Sequence, residues 1–144
     1  MHPKHFIDKL DDTKIVAAIA RAEETTSGVI RVAISHRHRV DALAAAQKRF
    51  VKLGMDRTPQ RNAVLIYFAP KAHTFAIWGD VAVHEKCGDV FWQGIAAKIA
   101  PQLKAGQFTE AIEEAVREIG VVLAQHFPRK PGDQTNLPET IVRE

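Results

Sequence analysis

Cysteine is almost absent. Cys87 stands alone, so no disulfide can form within the chain, and a reducing compartment suits it. With no nucleophile–base motif beside it, this thiol reads as a small residue rather than a catalytic one. No stretch approaches the ~18 consecutive apolar residues of a spanning helix, so no membrane insertion is expected. Met1 to Asp8 lack the apolar core of a signal peptide, and the cytoplasm is the expected location. An excess of either charge is also missing, because 20 Lys+Arg against 17 Asp+Glu leave a net charge of +3. That is too little to imply nucleic-acid binding without a concentrated patch. No internal repeat, low-complexity tract or phosphate-cradling glycine loop occurs.

What remains is an ordinary globular composition, 46% hydrophobic and 26% charged over 144 residues. One domain of this size buries about 68–70% of its unfolded surface and needs no disulfide or structural metal.

Periodicity divides the chain into helices and strands. Ile15, Ile19 and Ala22 lie at helical spacing behind a cap at Asp11 or Asp12, with Phe6, Ile7 and Leu10 as an apolar anchor upstream. Residues 29–34 form a mostly buried strand interrupted only by Arg31. Leu43, Ala46, Phe50 and Leu53 mark a second helix, stopped by Gly54. Residues 63–68 are the clearest strand, and the Pro70 turn folds the chain back into a third at 74–78. Phe91, Ile95, Ile99 and Leu103 form the stripe of a third helix, begun at Asp89 and kinked or ended at Pro101. Phe108, Ile112, Ala115, Ile119, Leu123 and Phe127 share one face of a fourth. Residues 1–128 therefore form the domain, and 129–144, without apolar periodicity, read as a loosely attached tail.

This order predicts an α/β fold, a three-layer α/β/α sandwich with a small mixed sheet. The first two strands flank a helix and should be parallel, whereas the third reverses against the second. The end of the third strand (Gly79, Asp80) then meets the start of the second (Arg61, Asn62) and of the first (Ser27, Gly28). His36 to Arg39 belong to the opposite edge.

The first of these edges is the most informative place in the chain. A run of β-branched and aromatic residues, Phe75 to Trp78, stops on Gly79-Asp80. Gly79 permits a backbone turn, and Asp80 sits where a strand end holds binding side chains. An Asp that merely satisfies nearby turn amides reads equally well.

In their order, Ala22-Glu23-Glu24-Thr25-Thr26-Ser27-Gly28-Val29-Ile30-Arg31-Val32, Arg61-Asn62-Ala63-Val64-Leu65-Ile66-Tyr67, Ile77-Trp78-Gly79-Asp80, Phe91-Trp92 and the stretch from Ile119-Gly120 to His126-Phe127-Pro128 resemble the TPM domain family. The likeness spans roughly residues 10–128 of the sequence. It implies a sheet between helices and, by analogy with family members, calcium binding, acid phosphatase activity or neither. Asn62-Ala63 stands where many relatives have Asn-Gly. The chain resembles the short, free-standing members rather than the membrane-anchored ones.

Three chemistries follow. A hard ion, Ca2+ or Mg2+, needs several oxygen ligands, which Asp80, Asn62, Ser27 and Thr26 can supply. Asp56, Glu85 and Asp89 are near in sequence without a defined place. A metal-assisted phosphatase needs positive charge on the transferring oxygens, for which Arg57 and Arg61 are candidates; solvated arginines paired with carboxylates are the plainer reading. His36-Arg37-His38-Arg39 is the densest basic run: a solvated loop, a surface for an anionic partner, or, with His73, a transition-metal group. The leading expectation is a non-enzymatic binding module, holding a divalent ion or docking a protein partner. The alternative is the phosphatase.

Overall fold

The computed structural model describes residues 10–130 and 141–144. Phe6, Ile7 and residues 131–140 of the expected tail lie outside them. Helix α1 (Asp12–Glu23) starts where Asp11 Oδ1 accepts a hydrogen bond from Lys14 N at 3.1 Å, satisfying a free first-turn amide. Strand β1 (Val29–Ile34) follows. Helix α2 (Ala42–Lys52) is capped in the same way by Asp41 and stopped by Gly54 at φ 74°. Strands β2 (Ala63–Ala69) and β3 (Thr74–Gly79) flank a 3₁₀ turn at Pro70–Ala72. Helices α3 (Val81–Lys104) and α4 (Phe108–His126) and a short strand β4 (Val142–Arg143) complete the order.

The sheet runs β3-β2-β1-β4, with β1 parallel to β2 and β3 antiparallel to β2. Successive strand residues face opposite sides, so the buried strands feed two cores. Ile30, Val32, Ile34, Val64, Ile66 and Phe68 pack under α1, α3 and α4. Val29, Ala33, Leu65 and Tyr67 pack against Ala42, Ala46 and Phe50 of α2. This is the α/β/α sandwich expected from the alternation of strands and helices.

Several local expectations are corrected. Leu43 is 46% exposed, and the inner face of α2 is instead Ala42, Ala46 and Phe50. The expected helix from Asp89 is preceded by a further helical piece, Val81 onward, capped by Asp80. The two pieces are separated at Gly88, whose φ of 73° lies outside the helical region, and the second runs from Asp89 through Pro101 to Lys104. Gly79 is not in the left-handed region. Its Cβ would stand 2.8 Å from Trp92 Cζ2, so close approach of the indole is what requires glycine here.

The tail expectation fails for residues 141–144. Val142 and Arg143 add to the free edge of β1 in parallel register, opposite Ala33 and Ile34. Two residues are too few to show a period, so only the unpaired edge of β1 can reveal them.

Candidate binding edge

The antiparallel return of β3 brings the start of β1, the start of β2 and the start of α3 together. Asp80 N donates to Ala63 O at 2.9 Å, carrying the ladder one residue beyond β3. Asp80 Oδ1 then accepts from Val81 N at 2.8 Å and caps α3. Burial of this carboxylate, 4% exposed, demands compensation by positive charge. Arg61 supplies it as a two-pronged fork, Nε to Oδ2 at 2.6 Å and Nη2 to Oδ1 at 2.8 Å.

Arg61 is itself unusual. Its φ of 52° is left-handed, a region that a non-glycine residue occupies only when its surroundings hold it there. The Asp80 hydrogen bond and charge, with a smaller contribution from Asp56, raise its pKa further above the ordinary arginine value. Yet the Arg61 side chain remains 48% exposed while that of Asp80 is 5% exposed. A buried anion is thus held by a cation reaching in from solvent.

Asn62, 1% exposed, donates from Nδ2 to Ser27 Oγ at 3.1 Å and from its backbone N to Thr58 Oγ1 at 3.3 Å. Asp56 lies in the 3₁₀ turn Met55–Arg57, and its Oδ1 is buried without a hydrogen-bond partner among the described residues. The structure therefore brings Asp80, Asn62, Ser27 and Arg61 to one edge and adds Asp56. Arg57 is exposed and does not join the Asp80 fork. Asp89 is exposed on α3, 3.7 Å from His84.

The donor types suit a hard cation, but both Asp80 oxygens are engaged by Arg61 and Val81. Among the described residues no three His, Cys, Asp or Glu side chains are grouped for a metal, which leaves His36, His38 and His73 without that role.

Asp80→Ala should destabilise the domain by about 1–2 kcal/mol, chiefly through loss of the α3 cap. The half-exposed Arg61 can return to water, which limits the cost. Urea denaturation measures it, and a loss above twice that range would mean that Arg61 cannot be released.

At the opposite edge, β1 runs out into Ser35 and the His36–Arg39 segment, where Thr74 Oγ1 donates to Arg39 O at 2.6 Å. Here the sequence reading missed a cluster. Glu144 accepts hydrogen bonds from Tyr67 OH and Arg49 Nη2. The apolar run of β2 hid Tyr67, and Glu144 belongs to a segment without pattern.

The TPM domain family model matches residues 1–122. No curated protein matches the chain. Among solved structures, the BA42 protein from the psychrophilic bacterium Bizionia argentinensis is similar, with 36% sequence identity and a TM-score of 0.84. That match covers 94% of this chain and 96% of BA42. The N-terminal domain of a protein from P. gingivalis has 14% identity and a TM-score of 0.66 over 84% of this chain and 82% of its own, a likeness of fold alone. By the extent of the family match and by its likeness to BA42, the chain belongs to the TPM domain family.

Proposed function

We propose that this TPM domain is a binding module that takes a divalent cation, Ca2+ or Mg2+, at the Asp80 edge by displacing Arg61. One observation carries the reading. Two carboxylates, Asp80 and Asp56, bear on a single half-exposed guanidinium, and a buried oxygen of Asp56 is left without a partner. Arg61 then acts as an internal counter-ion, and a metal and the arginine compete for Asp80. Asp80, Asp56, Asn62 and Ser27 would supply oxygen ligands of the type such ions prefer.

Competition sets the sign of the test. Arg61→Asn tolerates the left-handed backbone and cannot reach Asp80. In calcium and magnesium titrations followed by backbone amide NMR, this variant should bind more tightly than the natural chain, and Asp80→Asn more weakly. Shifts should centre on residues 56–62 and 79–82. Weaker binding by Arg61→Asn, or no ion-dependent shift in any of the three proteins, would overturn the reading.

The phosphatase alternative requires the opposite role for Arg61, as a positive group on the substrate. Ion-dependent hydrolysis of p-nitrophenyl phosphate, lost in Asp80→Asn and reduced in Arg61→Asn, would favour it. If neither binding nor hydrolysis occurs, docking of a protein partner is the surviving account.

A further inference from the structure

We propose that the carboxyl end of β1 and β2 is a docking site for an extended acidic peptide of a partner protein, a site that residues 141–144 fill in cis. The edge of β1 is the only edge of the described sheet covered by a segment distant in sequence, and the cover is two residues long. Its backbone bonds are those of an added strand: Glu144 N donates to Ile34 O at 3.0 Å, and His36 N donates to Glu144 O at 2.9 Å. Strand addition takes its affinity from such main-chain bonds and its specificity from a side-chain pocket.

The pocket is present and selects an acid. Tyr67 OH and Arg49 Nη2 each donate to one oxygen of the Glu144 carboxylate. Burial pushes that carboxyl up, but the bonds from Tyr67 and Arg49, the Arg49 charge and Ser35 outweigh it and hold the group below its usual range. Burial, then the Glu144 bond, raise the Tyr67 hydroxyl, opposed by Ser35 and Arg39. The Nε of Arg39 is buried without a partner among the described residues. Arg49, a phenol and a serine thus hold one carboxylate, with Arg39 beside the phenol and exposed His36, Arg37 and His38 next to it in the chain.

The pocket lies at the carboxyl ends of parallel strands, where ligands of open α/β sheets bind. Outside the pocket, the cis segment is tied by half-buried Ile141 and Val142, each packed against one of the two cores, and by the exposed pair Arg143–Asp12 at 2.8 Å, which contributes little. The paired stretch is two residues long, so a competing strand has few main-chain bonds to displace. The basic run supplies the charge complementarity that draws an acidic partner to this edge.

The test uses the full chain and an acetylated peptide copying residues 141–144 as probe. Peptide affinity is lowered by the fraction of sites that the cis segment occupies. Glu144→Ala weakens that occupant, so the variant should bind the peptide about tenfold more tightly than the natural chain in an NMR titration. Shifts should follow β1 and Tyr67. Adding Arg49→Ala, or replacing the peptide's Glu by Gln, should abolish the gain. Equal affinity in the natural chain and Glu144→Ala, or a gain indifferent to Arg49, would overturn the proposal. So would a concentration-dependent dimer of Glu144→Ala that excludes the peptide, since the occupant would then be a second copy of this chain. Amide spectra of both variants separate these outcomes from unfolding.

Discussion

Replacing Glu23 by alanine should lower the unfolding free energy by about 3–5 kcal/mol, the cost of breaking a buried ion pair from one side. Arg31 is the one polar interruption of β1. Its alternation with Val29 and Ala33 turns it toward the α2 side of the sheet, in register with Leu65. It is 2% exposed and Glu23 6%. Arg31 Nη1 reaches Glu23 Oε2 at 2.6 Å, and the same oxygen accepts from Ile30 N at 2.9 Å. Glu23→Ala therefore takes the Glu23 carboxylate away from a buried guanidinium and the acceptor away from a strand amide. Urea denaturation with an unchanged m-value should record the loss. Replacing both partners, Glu23→Leu with Arg31→Met, should recover most of it, because two apolar groups cost less to bury than one unpaired charge. A loss below 1 kcal/mol, on the order of an exposed pair, would show that the site is hydrated in solution.

Gly120→Val should cost about 1–3 kcal/mol through overpacking and should shift the amide resonances of α1 as well as those of α4. Gly120 lies inside α4, where glycine is unfavourable by about 1 kcal/mol relative to alanine, so its presence answers a packing demand. A Cβ placed there would stand 2.7 Å from Ala22 Cβ and 3.3 Å from Ala22 Cα, the side chain and backbone of α1. Neither helix can yield without moving the buried face formed by Ile15, Ile19, Val116 and Ile119. Gly120→Ala combined with Ala22→Gly exchanges the methyl group across the contact and should restore stability, a coupling that a double-mutant cycle reads directly. Independent, additive effects would show that the two helices do not meet at this point.

These two sites differ in how visible they are before folding. Arg31 stands out in an apolar run, so a buried cation needing a partner could be read from the pattern. That Glu23 is the partner, one helix end away, depends on the turn at residues 24–28. Gly120 lies in an unbroken helical stripe and gives no sign that another backbone passes over it.

The same division runs through the whole molecule. The parallel β1–β2 pair and the antiparallel return of β3 follow from local period, turn residues and the handedness of crossovers, and so does the meeting of Ser27, Asn62, Arg61 and Asp80 at one edge. Backbone direction alone places them. What each side chain does there is a matter of contacts between segments far apart in the chain. Asp80 is neither an open ligand nor a simple turn residue but the buried half of a fork with Arg61. Gly79 is small because Trp92 crosses it, and Asp56 joins the edge through a 3₁₀ turn without periodicity. The last strand and its Glu144 anchor are the extreme case. Two residues carry no repeat, and their conformation is set by the unpaired edge of β1 and the basic pocket beside Tyr67, neither of which exists until the sheet has formed.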